Sequence, residues 1–125
     1  MTEGADVAAS GSRSPRRPGE FLKIQLLTIP GCPNAALARE LLRHVLESSR
    51  VPAEIEEVDM AAPGTPEALR GWGSPTILID GVDIEGAEAP AASGCRLYQG
   101  PGGSLSGTPP EAILRAAVTR ARRSP

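Results

Sequence analysis

From Phe21 to Ile29 the chain reads FLKIQLLTI, a β-prone run that stops at Pro30-Gly31 and predicts a buried strand running into a turn. Beyond the turn, Cys32 takes the N-cap position and Pro33 the first helical position. Leu37, Leu41, Leu42 and Val45 then recur on one helical stripe up to about Ser49. Ala53, Ile55, Val58 and Met60 follow with one slip of alternation, which fits a second strand with room for a bulge. Thr65-Pro66-Glu67 offers a cap, a proline and a first-turn acid for a short helix ended by Gly71. The run Thr76-Ile77-Leu78-Ile79 is apolar after its first residue, as in a strand covered on both faces. It lies between Ser74-Pro75 and the hairpin signal Asp80-Gly81.

Periodicity fades over residues 82–94, which read as a loop longer than a hairpin needs. Cys95 to Gln99 reads as a strand, and Gly100 to Gly103 as a turn leading to Ser104-Leu105-Ser106. Thr108-Pro109-Pro110-Glu111 has the form of a T-x-x-E capping box, opening a helix with Ile113, Leu114, Ala117, Val118 and Ala121 on one face. Residues 1–20 hold Val7 as their one β-branched or larger apolar residue after Met1, too little burial to offset ordering entropy. The expected organisation is a disordered tail over 1–20 and one domain over 21–125.

Composition narrows the function classes. A chain of 125 residues, 40% apolar, suits one small domain. Three aromatics (Phe21, Trp72, Tyr98) leave the core to aliphatic side chains. No run approaches the ~20 apolar residues of a membrane span, and the polar N-terminus has no secretory pattern, so a cytoplasmic protein is expected. Nine acids against Arg70 alone fill residues 51–92, while seven of the twelve arginines lie towards the two ends (Arg13, Arg16, Arg17; Arg115, Arg120, Arg122, Arg123). That distribution, without aromatic interleaving, argues against nucleic acid as a partner. Two cysteines, Cys32 and Cys95, are too few for a disulfide scaffold.

The order β-α-β-α-β, a hairpin, then α carries Pro30-Gly31-Cys32-Pro33 after the first strand, Gly73-Ser74-Pro75-Thr76 before the third and Gly107-Thr108-Pro109 before the last helix. It resembles the thioredoxin fold over residues 21–125. The expected class is therefore α/β, a mixed four- to five-stranded sheet flanked by helices. From LLTIPGCPNAALARELL through GSPTILIDG to GCRLY the chain looks more closely like a family of small thioredoxin-like proteins grouped with alkylmercury lyases. The resemblance implies a catalytic role for Cys32 and substrate contacts from Pro33, Ser74, Pro75 and Thr76. A cis Ser74-Pro75 bond would turn the Ser74 N–H and C=O toward an extended peptide. The mercury enzymes cleave a carbon–mercury bond with two cysteines and an acid, which here points to Cys32 and Cys95.

A cysteine at a helix N-terminus meets open N–H groups that favour the thiolate, whereas its bland alternative is a small packed residue. In Cys32-Pro33-Asn34-Ala35 the last residue has no sulfur, so a local resolving thiol is missing. If the 82–94 loop returns over the active end, a strand starting at Cys95 begins near Cys32, where the pair permits a disulfide or capture of a thiophilic metal. The alternative is a buried strand cysteine without a partner. Arg96 points to the opposite face from Cys95 and is assigned no role. His44, twelve residues from Cys32 and about 18 Å away along a helix, reads as a solvated histidine. Asp83 is a weak candidate for proton transfer, and Trp72 a core or cleft aromatic. The Gly-rich stretch 100–107 lacks the G-K-[ST] ending of a phosphate loop. Three functions are expected in turn: thiol redox or exchange with a small or protein thiol or disulfide, organomercurial-lyase-like chemistry, and a noncatalytic binding module. No cofactor and no resident metal site are expected.

Overall fold

The computed structural model describes residues 21–87 and 96–123. Strand β1 (Leu22–Thr28) leads to helix α1 (Ala35–Ser49), then to β2 (Ala53–Asp59), β3 (Thr76–Ile79) and β4 (Val82–Asp83). A small hairpin of β5 (Tyr98–Gln99) and β6 (Leu105–Ser106) precedes the last helix, α2 (Glu111–Arg123). The main sheet is four-stranded and mixed, in the order β2-β1-β3-β4; β5 and β6 form a separate two-stranded sheet. β1 runs parallel to β2 and antiparallel to β3, and β3 is antiparallel to β4. A parallel β1–β2 pair requires a crossover, which α1 supplies.

Side chains alternate across a strand, so each strand serves two faces. Leu22, Ile24 and Leu26 of β1 and their neighbours Ile77 and Ile79 of β3 point to the face covered by both helices. Ala38, Leu42, Val45 and Leu46 of α1 and Leu114, Ala117 and Val118 of α2 complete that core. On the opposite face Leu27, Val58, Met60, Trp72 and Leu78 form a second, smaller core. This division explains the slip in β2. The register runs from Leu22↔Ala53 to Thr28↔Asp59 without interruption, so there is no bulge. Ala53 joins the helix-side core and Val58 the other, and the broken alternation records two cores served by one regular strand. Leu37 departs from its expected stripe: it is exposed, and Ala38 is buried in its stead.

Three local expectations fail for identifiable reasons. The segment after Thr65 forms a single 3-10 turn, Glu67–Leu69, instead of a helix. Here the Thr65 hydroxyl donates to the Asp59 carbonyl (2.6 Å), and the Arg70 guanidinium donates to the carbonyls of Thr65, Ala62 and Pro63 at 2.8, 2.9 and 3.0 Å. The cap and the carbonyls are thus committed elsewhere. At α2, Thr108 is not the cap: the amides of Ile113 and Leu114 both reach the Pro110 carbonyl, and the helix begins at Glu111. A residue before proline is pushed out of the helical region, so two successive prolines delay the start. Finally, Val82-Asp83 is strand rather than loop, paired with Leu78 and Ile79 across a two-residue turn. Asp80 and Gly81 hold φ values of 52° and 86° there, the paired left-handed conformation of a type I′ hairpin. Asp80 also accepts the Lys23 amide on Oδ1 at 3.0 Å, fixing the turn to β1.

Candidate functional site

Two consecutive turns carry the chain from β1 into α1. The Cys32 amide donates to the Ile29 carbonyl at 3.2 Å, closing a turn with Pro30 and Gly31 at its centre. Gly31, with φ 76°, supplies the left-handed position that a type II turn requires. The Cys32 carbonyl then accepts the Ala35 amide at 3.3 Å, closing a second turn over Pro33 and Asn34. Asn34, not Cys32, is the N-cap of α1. Pro33 is spent on this second turn, and the helix starts two residues later than expected. The thiol is free and half-buried, at the junction of the two turns. Asn34 makes no side-chain cap bond, and the first turn of α1 holds no acid. The positive end of the helix is therefore left without a neutralising side chain of its own.

The segment Gly73–Thr76 lies against this loop. The Ile29 amide donates to Ser74 Oγ at 3.2 Å, tying the end of β1 to the residue before Pro75. The Ser74-Pro75 peptide bond is cis, as expected. The orientation of its neighbours is not the expected one. Ser74, Pro75 and Thr76 are all buried, with Ser74 and Thr76 at 0% exposure. The Ser74 carbonyl, expected to face a substrate, accepts the Arg96 amide at 2.9 Å. Pro33 is exposed. Cys95 lies outside the described residues, and so does its pairing with Cys32.

Arg96 is the residue that sequence reasoning passed over. Its guanidinium donates to Asp83 Oδ1 and Oδ2 at 2.8 and 2.9 Å, to Glu85 Oε1 at 2.8 Å and to Thr76 Oγ1 at 2.9 Å. It also stacks 4.7 Å from the Tyr98 ring centre. Burial works against its charge, but the hydrogen bonds to Asp83 and Glu85 outweigh burial and raise its pKa. Asp83, with its side chain buried, further accepts the Glu85 and Ala87 amides at 3.1 and 3.2 Å. These bonds make Asp83 the structural counter-ion of Arg96 rather than a proton carrier. Tyr98 is fully buried and donates its hydroxyl to the Pro75 carbonyl at 2.5 Å. Burial pushes its phenol above the ordinary range, with the Arg96 charge pulling the other way. The signal that could have found this network is the charge pattern: one arginine follows a stretch containing Asp83, Glu85 and Glu88.

Trp72 is buried in the smaller core and donates Nε1 to the Ala68 carbonyl at 3.3 Å, so it is a packing residue. His44 is exposed on α1, 3.9 Å from Glu111. Arg115 hydrogen-bonds Glu111 and holds its carboxyl below the usual range. Among the described residues no group of three or more His, Cys, Asp or Glu is placed to hold a metal ion, and no helix is long and apolar enough to cross a membrane.

No protein-family model, curated protein or solved structure matches the chain.

Proposed function

We propose that this chain is a thioredoxin-like protein that carries out thiol exchange through Cys32. The arrangement that supports the fold reading is a βαβ unit with parallel strands, an antiparallel hairpin added on the other side of β1, and a final helix packed with α1 on one face. The observation that carries the chemistry is the free, half-buried Cys32 thiol two residues ahead of a helix whose first turn has neither a capping side chain nor an acid. Amides at such an end are available to an anionic sulfur.

In the exchange, the Cys32 thiolate attacks one sulfur of a disulfide R–S–S–R. A Cys32–S–S–R bond forms, the R–S–S–R bond breaks and RS⁻ leaves with the electron pair. Ala35 offers no second sulfur, so regeneration requires another thiolate, R′S⁻, which attacks the R sulfur. Cys32 is then released and R–S–S–R′ departs. Cys95, the other cysteine of the sequence, would resolve the adduct differently: its thiolate attacks the Cys32 sulfur, a Cys32–Cys95 disulfide forms and RS⁻ leaves with the electron pair. A protein working through a free thiol suits a reducing compartment such as the cytoplasm.

Oxidised glutathione is the direct probe. In a Cys95→Ser chain the folded protein should take up one glutathione, mapped by peptide mass to Cys32, and Cys32→Ser in the same chain should abolish uptake. Faster loss of the adduct when Cys95 is present would identify Cys95 as the resolving thiol. A folded chain that forms no adduct on Cys32 would refute the proposal.

A further inference from the structure

An extended peptide is recognised most economically where a chain presents unpaired main-chain groups to which it adds as a strand. The main chain tied to the Cys32 loop is Gly73–Thr76, joined to it through the bond from the Ile29 amide to Ser74 Oγ. Every residue of that segment is engaged from inside the molecule. Gly73 faces the Arg96 side chain so closely that a Cβ would lie 2.7 Å from Arg96 Cβ. The Ser74 carbonyl accepts the Arg96 amide, the Pro75 carbonyl accepts the Tyr98 hydroxyl, and Thr76 Oγ1 accepts the Arg96 guanidinium. Arg96 is in turn held by the Asp83 and Glu85 carboxylates, and Asp83 is itself buried.

We infer that Arg96 and Tyr98 occupy the edge beside Cys32 as a built-in strand, so that the substrates of Cys32 are low-molecular-weight thiols and disulfides and not extended polypeptides. The inference rests on the proposed thiol exchange at Cys32. Arg96 is a positioning residue in this scheme: it touches no reacting atom, and it sets specificity by keeping the Gly73–Thr76 main chain closed. A small disulfide needs only the half-buried sulfur, whereas a peptide finds the Ser74 and Pro75 carbonyls already taken.

The test compares two probes with the same leaving group in a Cys95→Ser chain: the cysteamine disulfide of N-acetylcysteine amide, and the same disulfide at the centre of an unstructured hexapeptide. The wild-type clamp should react with the peptide no faster than with the small probe. Arg96→Ala removes the guanidinium that anchors this segment and so loosens its amide from the Ser74 carbonyl; Tyr98→Phe, for use where the first variant folds poorly, frees the Pro75 carbonyl. Either should raise the peptide rate by about tenfold, the factor that one or two net main-chain hydrogen bonds are worth. The small-probe rate should stay within about twofold, since these residues contact neither probe nor sulfur directly. A peptide rate about tenfold above the small-probe rate with the clamp intact overturns the inference, as does a peptide rate unchanged in both variants. Failure of Cys32 to react with the small probe overturns the parent proposal and this inference with it.

Discussion

Arg96 and Asp83 show how a single pair decides whether a segment stays in place. The carboxylate is out of contact with water and the guanidinium nearly so, with side-chain exposures of 0% and 14%. Such a pair adds little net stability over an apolar substitute, but breaking it leaves a charge buried alone. Arg96→Ala should therefore destabilise the chain by about 3 kcal/mol, read from the urea midpoint. Arg96→Lys should recover only part of this, because an ammonium cannot span Asp83, Glu85 and Thr76 with a planar fork. Tyr98 gives a pH-dependent counterpart. Its folded pKa is raised by burial, so the proton is held more tightly in the folded chain than in the unfolded one. The corresponding stability is full below the unfolded value of about 10 and is lost as pH rises through the folded value. Tyr98→Phe should cost about 1–2 kcal/mol at neutral pH through the lost bond to the Pro75 carbonyl. Its disadvantage relative to wild type should shrink above about pH 10, as denaturation at a series of alkaline pH values would show. Tyr98 was not legible as a partner in the sequence, and Arg96 only through the acids that precede it. Strand alternation put Arg96 opposite Cys95, but what lay across from it depended on a fold-back that no local pattern encodes.

At the scale of elements, the start of α1 depends on a close approach from the far end of the chain. A Cβ on Gly107 would overlap the side-chain amide of Asn34, the N-cap of α1. Gly107→Ala should thus destabilise by about 1–2 kcal/mol through overpacking. Asn34 makes no capping bond, so Asn34→Ala alone should change little. In the double variant the shorter side chain should relieve most of the Gly107→Ala loss, a coupling that a double-mutant cycle measures. The elements themselves were largely readable, because β1, α1, β3 and the Asp80-Gly81 hairpin follow from runs and turn chemistry that agree with one another. The misread ends are those where a turn over Pro33-Asn34 intervenes before the helix, where Pro110 keeps Pro109 out of the helical region, or where a distant side chain takes the carbonyls, as Arg70 does after Ala62. A cap motif states what a residue is able to do, and a competing partner decides what it does.

For the whole molecule, one sheet with a large core on the helix side and a small one on the other accounts for the mixed polarity of β2 and the burial of Trp72. That division left the fold class readable and the register of β2 misread, since a strand divided between two cores mimics a bulge. The cis Ser74-Pro75 bond and the place of Cys32 ahead of α1 were readable as positions. Their use was not: the closed edge at Gly73–Thr76 emerges only when residues far apart in sequence are set side by side. On this view the fold presents one sulfur at the mouth of α1 and closes the main chain beside it. The most direct measurement is the second-order rate of Cys32 with oxidised glutathione at neutral pH in the Cys95→Ser chain, folded and then unfolded in urea. The proposed thiol exchange, in which the open end of α1 would assist the sulfur only once the helix is formed, requires a folded rate above the unfolded one. A folded rate below the unfolded one would contradict the account and make Cys32 a packed residue.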